Sequence, residues 1–316
     1  MTGLPEAVVL FGASGFLGRN MLDALADRVP MVVAVNGSGE PVPGCSATAR
    51  LADVDSLPVL PPDTVVIDVA AHRYDAGRFR DEQSVILQVN AHIAASVYRF
   101  CVDRGLTEVR QASSVAVYPA DWTVQDDTQD LDLNAPPHAG EAAYAWSKRF
   151  AEICAEIHRD RFGISTLTFR LTNPYGPHDS IDLEAAHVVP AFLVRALGPD
   201  PSFTIRGNAD AERDFVFAGD VADVFVRTLG VRGQHERFNL AFGETRSIRE
   251  LATAVLQAVG VEKPIVASDG TKDGVAVRRA TASKLREAFD LRPFRTLDEG
   301  LALSVDWYGR ALANSG

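Results

Sequence analysis

The stretch AVVLFGASGFLGRNMLDALADRV, residues 7–29, decides the fold. An apolar run of strand length opens it, a segment with helix-like spacing closes it, and Gly12, Gly15 and Gly18 lie between them. Glycines permit a tight turn and let a ligand approach bare backbone, while the start of a helix presents unpaired N–H groups to an anion. The spacing G-x-x-G-x-x-G differs from the fingerprint G-x-G-x-x-G, and glycine turns also serve helix–strand packing alone. The position at the first strand–helix junction favours a site for a dinucleotide pyrophosphate.

Apolar runs alternate with helical stretches through the first half of the chain, and the loops lengthen after about residue 174. This alternation implies parallel strands joined by right-handed crossovers, with helices on both faces of one sheet. We therefore predict an α/β fold, a Rossmann-type doubly wound parallel sheet with a smaller C-terminal substrate-binding lobe. The dinucleotide-binding domain is assigned to residues 1–173 plus about 213–241, and the lobe to 174–212 and 242–316. The predicted helices cover 17–28, 82–104 and 141–162, and the predicted strands are 7–11, 31–35, 64–70, 108–114 and 165–171.

The bulk composition argues against several classes of partner and site. A net charge of -11 disfavours sequence-independent binding to nucleic acid, whose phosphates would be repelled. Cys45, Cys101 and Cys154 are odd in number and scattered, so neither a disulfide framework nor a metal site is expected. No stretch approaches the roughly 20 apolar residues of a membrane span, which predicts no membrane partner and a cytoplasmic location. The acidic segment 119–140 is interpreted as an exposed loop, long enough to form a lid or rim.

The ends of the second and third strands should contact the adenosine half of a bound dinucleotide. An acidic residue after the second strand hydrogen-bonds the 2′-hydroxyl of NAD, and its absence leaves room for the 2′-phosphate of NADP. Asn36 stands there, with no arginine adjoining it in the sequence to clamp a phosphate. NADP(H) is therefore favoured, and NAD(H) stays possible. Asp53, after the third strand, is placed to accept from the adenine amino group, and a solvated loop carboxylate is the alternative.

The segment YAWSK puts Tyr144 and Lys148 four residues apart, hence on one face of a helix. A lysine ammonium favours the ionised form of a neighbouring phenol, which suits a tyrosine to acid–base work near neutral pH. The same lysine can hold a nicotinamide ribose, and a helix-surface pair is the alternative. Ser114 ends the strand EVRQASS, at the sheet edge where open α/β folds bind ligands. Its hydroxyl can hydrogen-bond a reacting carbonyl, with Ser113 as a supporting neighbour.

With these residues in order, the chain resembles the extended short-chain dehydrogenase/reductases, the NAD-dependent epimerase/dehydratase family. The resemblance covers nearly the whole chain and includes VAAH at 69–72, RLTNPYGP at 170–177, RDFVFAGDVAD at 213–223 and FNLAFGE at 238–244. It implies an NAD(P)-dependent oxidoreductase that acts on a nucleotide-diphosphate sugar by hydride transfer at a sugar carbon. Members commonly dimerise through the helices that bear Asn90 and Tyr144, so a homodimer is implied. Cofactor contacts are implied for Gly12, Ser14, Gly15, Phe16, Leu17, Gly18, Asn36, Asp53, Val54, Ala70, Ala71, Asn90, Tyr144, Lys148 and Leu171.

Within that family, LTNPYGPHDSIDLEAAHVVPAFLVR at 171–195 is similar to the same region of GDP-fucose synthase, a GDP-4-keto-6-deoxymannose epimerase/reductase. In that enzyme a cysteine two residues after the serine pairs with a histidine for proton exchange at C3 and C5. Ala116 takes the cysteine position here, which puts the double epimerisation in doubt while the residues for ketoreduction are retained. His187 is then expected to orient substrate rather than to transfer protons. The implied substrate-binding residues are Ser114, Asn173, His187, Val189, Arg195, Arg213 and Arg278, whose guanidinium groups suit a diphosphate.

Three functions are compatible with these residues. The first is a nucleotide-sugar 4-ketoreductase, which reduces an NDP-4-keto-6-deoxyhexose with hydride from NAD(P)H. Tyr144 would protonate the developing alkoxide, Ser114 would hold its oxygen, and Lys148 would support the tyrosine and the ribose. The second is a nucleotide-sugar 4-epimerase, with the same residues but tightly bound NAD and no net cofactor turnover. The third is a non-catalytic dinucleotide sensor, against which the complete Ser/Tyr/Lys set argues.

Overall fold

A computed structural model describes residues 3–72, 79–184, 186–267 and 277–314. Parallel strands joined by helices dominate its first half, as the alternation of apolar runs predicts. The helices are α1 Phe16–Leu25, α2 Phe79–Arg104, α3 Ala142–Phe162, α4 Val188–Leu197, α5 Ala218–Arg227, α6 Ile248–Val259, α7 Ser283–Ala288 and α8 Leu297–Ala313. The strands are β1 Ala7–Phe11, β2 Met31–Asn36, β3 Ala47–Arg50, β4 Val65–Asp68, β5 Glu108–Ser114, β6 Val124–Gln125, β7 Ser165–Leu171, β8 Asn173–Tyr175, β9 Phe203–Ile205, β10 Glu212–Phe217, β11 Glu236–Leu240, β12 Thr245–Ser247, β13 Ile265–Ala267 and β14 Val277–Ala280.

The main sheet has seven strands in the order β11-β7-β5-β4-β1-β2-β3, and every neighbouring pair is parallel. The predicted α/β fold with a Rossmann-type sheet is confirmed. The chain runs outward from β1 to β2 and β3, then returns to β4 on the other side of β1. A crevice opens at the carboxyl ends of the strands where the order reverses in this way, and ligands of open α/β sheets bind there.

Helices cover both faces of the main sheet. On one face α1 and α5 pack together, and Met21 and Phe225 enter a core with the side chains of Val8 and Leu10. On the other face α2 and α3 pack along each other, and Tyr98 and Cys101 join Val9 of β1 in a second core. The strand β1 is fully buried along its length, because both of its faces are covered.

A second, smaller sheet lies in the later part of the chain and contains β12, β10, β14 and β6, with β8 paired to β10. The helices α4, α6 and α8 share a separate apolar core with it, which includes Phe203, Leu251 and Tyr308. The strand β8 leaves the main sheet at residue 173, and β11 returns to it at 236–240. Because the chain passes between the two sheets at these points, we propose to keep the domain boundary at residue 173. Residues 213–241 are then assigned to the first domain.

The helix bounds differ from the predicted ones where the backbone changes direction. The helix α1 ends at Leu25 instead of residue 28, because Asp27 adopts a positive φ of 60° that a right-handed helix does not allow. The helix α2 begins at Phe79, before the predicted residue 82, and α3 agrees with the prediction to within one residue. Thr296 and Glu299 form a capping box that fixes the start of α8.

The segment 119–140 is largely an exposed loop, as its composition predicts, but two of its residues are anchored to the sheets. It contains β6, which pairs with β14, and the side chains of Gln125 and Asp127 are buried. The backbone N–H of Asn239 donates to the Asp127 carboxylate at 2.6 Å, and the Asn239 amide donates to the Gln125 carbonyl at 2.9 Å. The segment is therefore anchored between the two sheets.

One helix within the described ranges, Glu82–Arg104 of α2, is long and apolar enough to cross a membrane by length and composition. The prediction that no stretch approaches a membrane span is therefore wrong as stated. A core helix of a soluble protein passes the same criterion, and Ile86, Ala94 and Val97 of α2 are buried. We interpret α2 as a core helix on the basis of its packing against α3.

Candidate active site

The glycine turn between β1 and α1 leaves backbone exposed where a side chain would not fit. Gly12 has a φ of +88°, and a Cβ there would lie 2.8 Å from the backbone of Ala70. A Cβ on Gly18 would overlap the carbonyl oxygen of Gly12, so this glycine allows α1 to pack tightly against the turn. Gly15 caps the start of α1, whose first N–H groups face the cleft beside it. This cradle fits a dinucleotide pyrophosphate.

A cleft of about 730 Å³ extends from the glycine turn along the carboxyl ends of the main sheet to the second sheet. Most of the candidate residues line it, and the others lie behind its wall or outside it. The lining residues are Gly12, Ser14, Gly15, Phe16, Leu17, Asn36, Ala70, Ala71, Ser114, Tyr144, Lys148, Leu171, Asn173, His187, Val189 and Arg278. The residues that do not line the cleft are Gly18, Asp53, Val54, Asn90, Arg195 and Arg213.

Ser114, Tyr144 and Lys148 meet on one wall of the cleft, where α3 crosses the end of β5. Lys148 Nζ donates to the carbonyl of Ala112 at 2.9 Å and lies 5.8 Å from the centre of the Tyr144 ring. Ser114 Oγ accepts from the backbone N–H of Ala116 at 3.1 Å, which leaves its own proton to donate. The arrangement can hold a carbonyl oxygen and deliver a proton to it, as the spacing of these residues predicts.

A buried polar network fixes the registry of β5, β7 and α3 behind this wall. Ser113 Oγ donates to Glu152 Oε1 at 2.6 Å, and Arg170 contacts both Glu152 oxygens, at 3.0 and 2.7 Å. Arg170 also donates to the hydroxyl of Tyr118 at 2.9 Å. Burial alone would raise the pKa of Glu152, but the Arg170 charge and the hydrogen bonds from Arg170 and Ser113 hold that pKa below its ordinary value. Ser113 thus supports the site from behind.

Two asparagines shape the cofactor side of the cleft through backbone contacts. Asn36 Oδ1 accepts from the backbone N–H of Gly39, and its Nδ2 donates to the carbonyl of Glu40 at 3.0 Å, so this side chain folds the loop after β2. Asn90 is buried in α2, where its amide accepts from the backbone N–H of His72 at 2.7 Å and donates to the His72 carbonyl at 3.3 Å. Asn90 therefore fixes the backbone of His72, which lines the cleft, and its contact with the cofactor stays a prediction.

Asp53 and Val54 lie in a short 3-10 segment, Leu51–Ser56, that follows β3. Asp53 is exposed and Val54 half-buried, and only Leu51 of this segment lines the cleft. Arg104 at the end of α2 donates to the carbonyl oxygens of Val54, Asp55, Leu57 and Pro58, at 3.0–3.2 Å. This clamp holds the segment next to the expected adenine position, and the adenine contact of Asp53 stays a prediction.

The far end of the cleft carries the polar residues assigned to substrate. Asn173 Nδ2 donates to the carbonyl of Asp214 at 2.8 Å, and His187 is exposed at the start of α4. Arg278 lines the cleft and pairs with Glu141. Arg213 lies opposite Arg278 in the pairing of β10 with β14 and donates to the carbonyl of Glu212 at 2.7 Å. Arg195 points elsewhere, to the carbonyl of Thr204 in β9.

Several lining residues were not found from the sequence. His72, His92 and Glu141 line the cleft and belong to segments whose local pattern gave no reason to select them. Asp68 ends β4 and is buried, and the backbone N–H of Ala70 donates to its carboxylate at 3.1 Å. Burial raises the pKa of Asp68 to about 6, against the opposing effect of the Lys148 charge. A carboxylate inside the apolar run VVIDVA was the signal that could have identified it.

In the part of the chain that the structure describes, no group of three or more His, Cys, Asp or Glu side chains is placed to hold a metal ion. The cysteines Cys101 and Cys154 are buried in α2 and α3, and Cys45 is half-buried. None of the three lines the cleft.

Comparison with known proteins places this geometry in a family. The model of the NAD dependent epimerase/dehydratase family matches residues 8–241, which carry the glycine turn and the Ser/Tyr/Lys set. The chain belongs to this family. The recognition of an extended short-chain dehydrogenase/reductase is therefore confirmed, and so is an NAD(P)-dependent oxidoreductase. The alternative of a non-catalytic sensor is set aside.

The relatives within the family are named as different enzymes of nucleotide-sugar metabolism. A dTDP-4-dehydro-6-deoxy-D-allose reductase from a Streptomyces species is 28% identical over 96% of both chains. A GDP-L-fucose synthase from Dictyostelium discoideum is 25% identical over 69% of this chain and 70% of its own. The fold matches a Thermotoga maritima UDP-glucose 4-epimerase solved with UDP-glucose, with a TM-score of 0.83 at 21% identity over 97% of this chain and 99% of that one. The Thermus thermophilus UDP-glucose 4-epimerase, solved with NAD, matches with a TM-score of 0.79 at 22% identity over 96% and 99%.

Proposed function

We propose that the chain is a nucleotide-sugar 4-ketoreductase that reduces an NDP-4-keto-6-deoxyhexose with hydride from NAD(P)H. The observation that carries the proposal is the meeting of Ser114, Tyr144 and Lys148 on the wall of a cleft that begins at the glycine turn. The reductase name of a relative aligned over 96% of both chains supports the same reaction. The cleft extends from the glycine turn, where a dinucleotide would bind, past Tyr144 to Arg278, where a nucleotide sugar would bind.

Three residues of the chain have separate roles in proton transfer and in the stabilisation of charge. A nicotinamide dinucleotide supplies the hydride when bound. Ser114 donates a hydrogen bond to the C4 carbonyl oxygen, and Tyr144 gives its proton to that oxygen as negative charge develops on it. The Lys148 ammonium, held by the Ala112 carbonyl beside the Tyr144 ring, stabilises the phenolate that remains. Leu171 and Val189 line the cleft and help to exclude water from the reacting atoms.

The absence of a thiol beside Ser114 favours ketoreduction without double epimerisation. Ala116 lines the cleft with a methyl group, and a methyl group can neither take nor give a proton. His187 lines the same cleft, and none of Cys45, Cys101 and Cys154 is among its lining residues. We propose that His187 and Asn173 orient the sugar, and that Arg213 and Arg278 bind the diphosphate.

The assay that tests this function uses the purified protein with a panel of nucleotide 4-keto-6-deoxysugars and with both NADPH and NADH. The proposal expects one mole of cofactor oxidised per mole of ketosugar reduced. A 4-epimerase is the second candidate, because a UDP-glucose 4-epimerase from Mycolicibacterium smegmatis is 31% identical over 57% of this chain and 56% of its own. Tightly held NAD after purification, with sugar interconversion and no net cofactor oxidation, would favour the epimerase and contradict the reductase.

For the cofactor we propose a preference for NADP(H). Parallel pairing of β2 with β3 sets Arg50 directly opposite Asn36, although the two residues are far apart in sequence. The exposed Arg50 side chain covers the loop after β2, where a Cβ added to Gly39 would overlap its Cγ. No carboxylate ends β2, because Asn36 stands there. A guanidinium beside this loop suits a 2′-phosphate on the adenosine ribose.

Replacing Arg50 with glutamine is expected to raise the Kd for NADPH about tenfold and to leave the Kd for NADH within about twofold, because only NADPH has a phosphate for the guanidinium. Both constants can be measured by fluorescence titration. Arg28→Gln is the matched control, since Arg28 is exposed on the segment before β2, away from the cleft. Equal weakening of both dinucleotides, or no change in either, would contradict the role of Arg50.

We propose that the protein is a homodimer that uses α3, and that it works in the cytoplasm. Trp146, Phe150, Ile153 and Ile157 recur at helical spacing and are 39–57% exposed, so they form an apolar stripe along one face of α3. Val85 and Leu87 add exposed apolar groups on the neighbouring α2. Soluble proteins usually cover an apolar face of this kind with another protein surface.

The substitution Ile153→Glu is expected to convert the dimer to a monomer at micromolar concentration, because it places a charge in the middle of the apolar stripe, which the dimer contact would desolvate. Light scattering after size-exclusion chromatography measures the mass. Leu303→Glu is the control, since Leu303 is also exposed, on α8, but lies off the stripe. A wild-type protein that is already monomeric, or a variant with the wild-type mass, would contradict this interface.

A further inference from the structure

An ion pair occupies the part of the cleft to which we assign the substrate diphosphate. Arg278 of β14 is buried, and its guanidinium contacts both carboxylate oxygens of Glu141, with Nη1–Oε1 at 3.1 Å and Nη2–Oε2 at 2.9 Å. Glu141 directly precedes α3, three positions before Tyr144, and both partners line the cleft. The pair therefore links the second sheet to the helix that carries the proposed proton donor.

This ion pair leaves donors and positive charge unsatisfied. Arg278 lies opposite Arg213 in the pairing of β10 with β14, so a second guanidinium group lies near this ion pair. Burial, and then the charge of Arg278, lower the pKa of Arg213. Among the described residues, no acceptor lies within hydrogen-bond distance of the buried Arg278 Nε. The buried Glu141 Oε2 likewise has no hydrogen-bond donor among them, because its close contact with Arg278 Nη2 lacks hydrogen-bond geometry. An anion with more acceptor oxygens would satisfy this site better.

We infer that Glu141 is a specificity-determining residue. Its carboxylate occupies the position beside Arg278 at which the diphosphate would bind, and it is displaced when a nucleoside diphosphate binds. The inference rests on the proposed function, which supplies the diphosphate. A diphosphate brings more negative charge and more acceptor oxygens than one carboxylate, so it can satisfy Arg213 and Arg278 together. Phosphate oxygens beside Glu141 would meet a like charge, so the bound diphosphate and the intact ion pair exclude each other.

Displacement of Glu141 discriminates between ligands by their charge. A nucleoside monophosphate gains less from the two arginines while it meets the same carboxylate, so Glu141 widens the gap in affinity between nucleoside diphosphates and monophosphates. Glu141 also precedes the first turn of α3, where Tyr144 lies. Occupancy of the diphosphate position is thereby linked to the start of the helix that carries the proton donor.

The experiment compares the wild-type protein with Glu141→Gln, which keeps the size of the side chain and removes its charge. Isothermal titration with UDP, dTDP and GDP, and with the corresponding monophosphates, measures the affinities. We expect the diphosphate that binds wild type best to bind Glu141→Gln about tenfold more tightly. We also expect a larger relative gain for its monophosphate, so that the ratio of the two affinities narrows. A residue that served folding alone would not change this ratio.

Two further variants separate the possible outcomes. Glu236→Gln removes a carboxylate that pairs with Lys284 outside the cleft, and its affinities should match wild type. In a protein that also carries Arg278→Gln, the gain from Glu141→Gln should shrink, because the carboxylate then no longer competes with the diphosphate for Arg278. Equal or weaker diphosphate binding by Glu141→Gln would overturn the inference while the proposed function stands. Absence of nucleotide binding to every protein would overturn the proposed function and the inference with it.

Discussion

Replacing Tyr144 with phenylalanine is expected to lower kcat for ketosugar reduction by about 100- to 10,000-fold, because the substitution removes the proton donor and nothing else. The ring of Tyr144 stays between the cleft and α3, and Lys148 keeps its hydrogen bond to the Ala112 carbonyl. The Kd for NADPH should change by less than about threefold, since a hydroxyl that acts on the reacting oxygen adds little to cofactor binding. Steady-state kinetics and a separate cofactor titration measure the two quantities.

Tyr98→Phe is the matched control for that experiment. Its hydroxyl is buried and contacts Thr166 Oγ1 at 3.3 Å, behind the main sheet and outside the cleft. Loss of this hydroxyl should leave kcat at the wild-type level. A Tyr144→Phe protein that retains half or more of its activity would remove Tyr144 from the role of proton donor.

Replacing Glu152 with alanine is expected to lower the free energy of unfolding by about 3–5 kcal/mol, because it leaves the buried Arg170 guanidinium without its partner. Both side chains are nearly inaccessible to solvent, and Glu152 also accepts from Ser113 on the strand that ends in Ser114. The pKa of Glu152 is held below its ordinary value in the folded protein. The part of its contribution that depends on its charge is present above the ordinary pKa of a glutamate and is lost as the pH falls through the folded-state pKa, so the difference between wild type and variant should narrow in acid.

Urea unfolding at pH 7 and at pH 4 measures that difference, with Glu156→Ala as the control. Glu156 lies one turn further along α3, is 43% exposed and pairs with Arg237 and His235 near the surface. Exposed pairs contribute about 0–1 kcal/mol, so the control should lose little stability. A Glu152→Ala protein no less stable than Glu156→Ala would contradict the importance of the buried network.

The fold and the centre of the site were predictable because their signals are local. The strand, the three glycines and the helix start occupy one continuous stretch, and burial on both faces makes β1 uniformly apolar. Tyr144 and Lys148 are one helical turn apart, so their meeting follows from helix geometry alone. Ser114 joins them because a serine that ends a central parallel strand must lie at the ligand-binding edge of the sheet.

The rest of the site depends on pairings between distant segments, which a local pattern does not encode. The sequence has no arginine near Asn36, yet the register of β2 and β3 brings Arg50 beside it. Glu141 and Arg278 are 137 residues apart and meet only because β14 packs near the start of α3. The burial of Asp127 within an acidic stretch likewise follows from its hydrogen bond to the backbone of Asn239. Local composition predicted solvent exposure for that stretch, which holds for most of its residues, and the long-range contact buries Asp127.

The most direct test of the central claim follows deuterium from the cofactor to the sugar. The protein is incubated with a nucleotide 4-keto-6-deoxysugar and NADPH that carries two deuterium atoms at nicotinamide C4, and the product is analysed by NMR and mass spectrometry. The account predicts one deuterium at C4 of the reduced sugar, none at C3 or C5, and loss of the transfer in Tyr144→Phe. Conversion of the sugar without transfer of deuterium to C4 would contradict it.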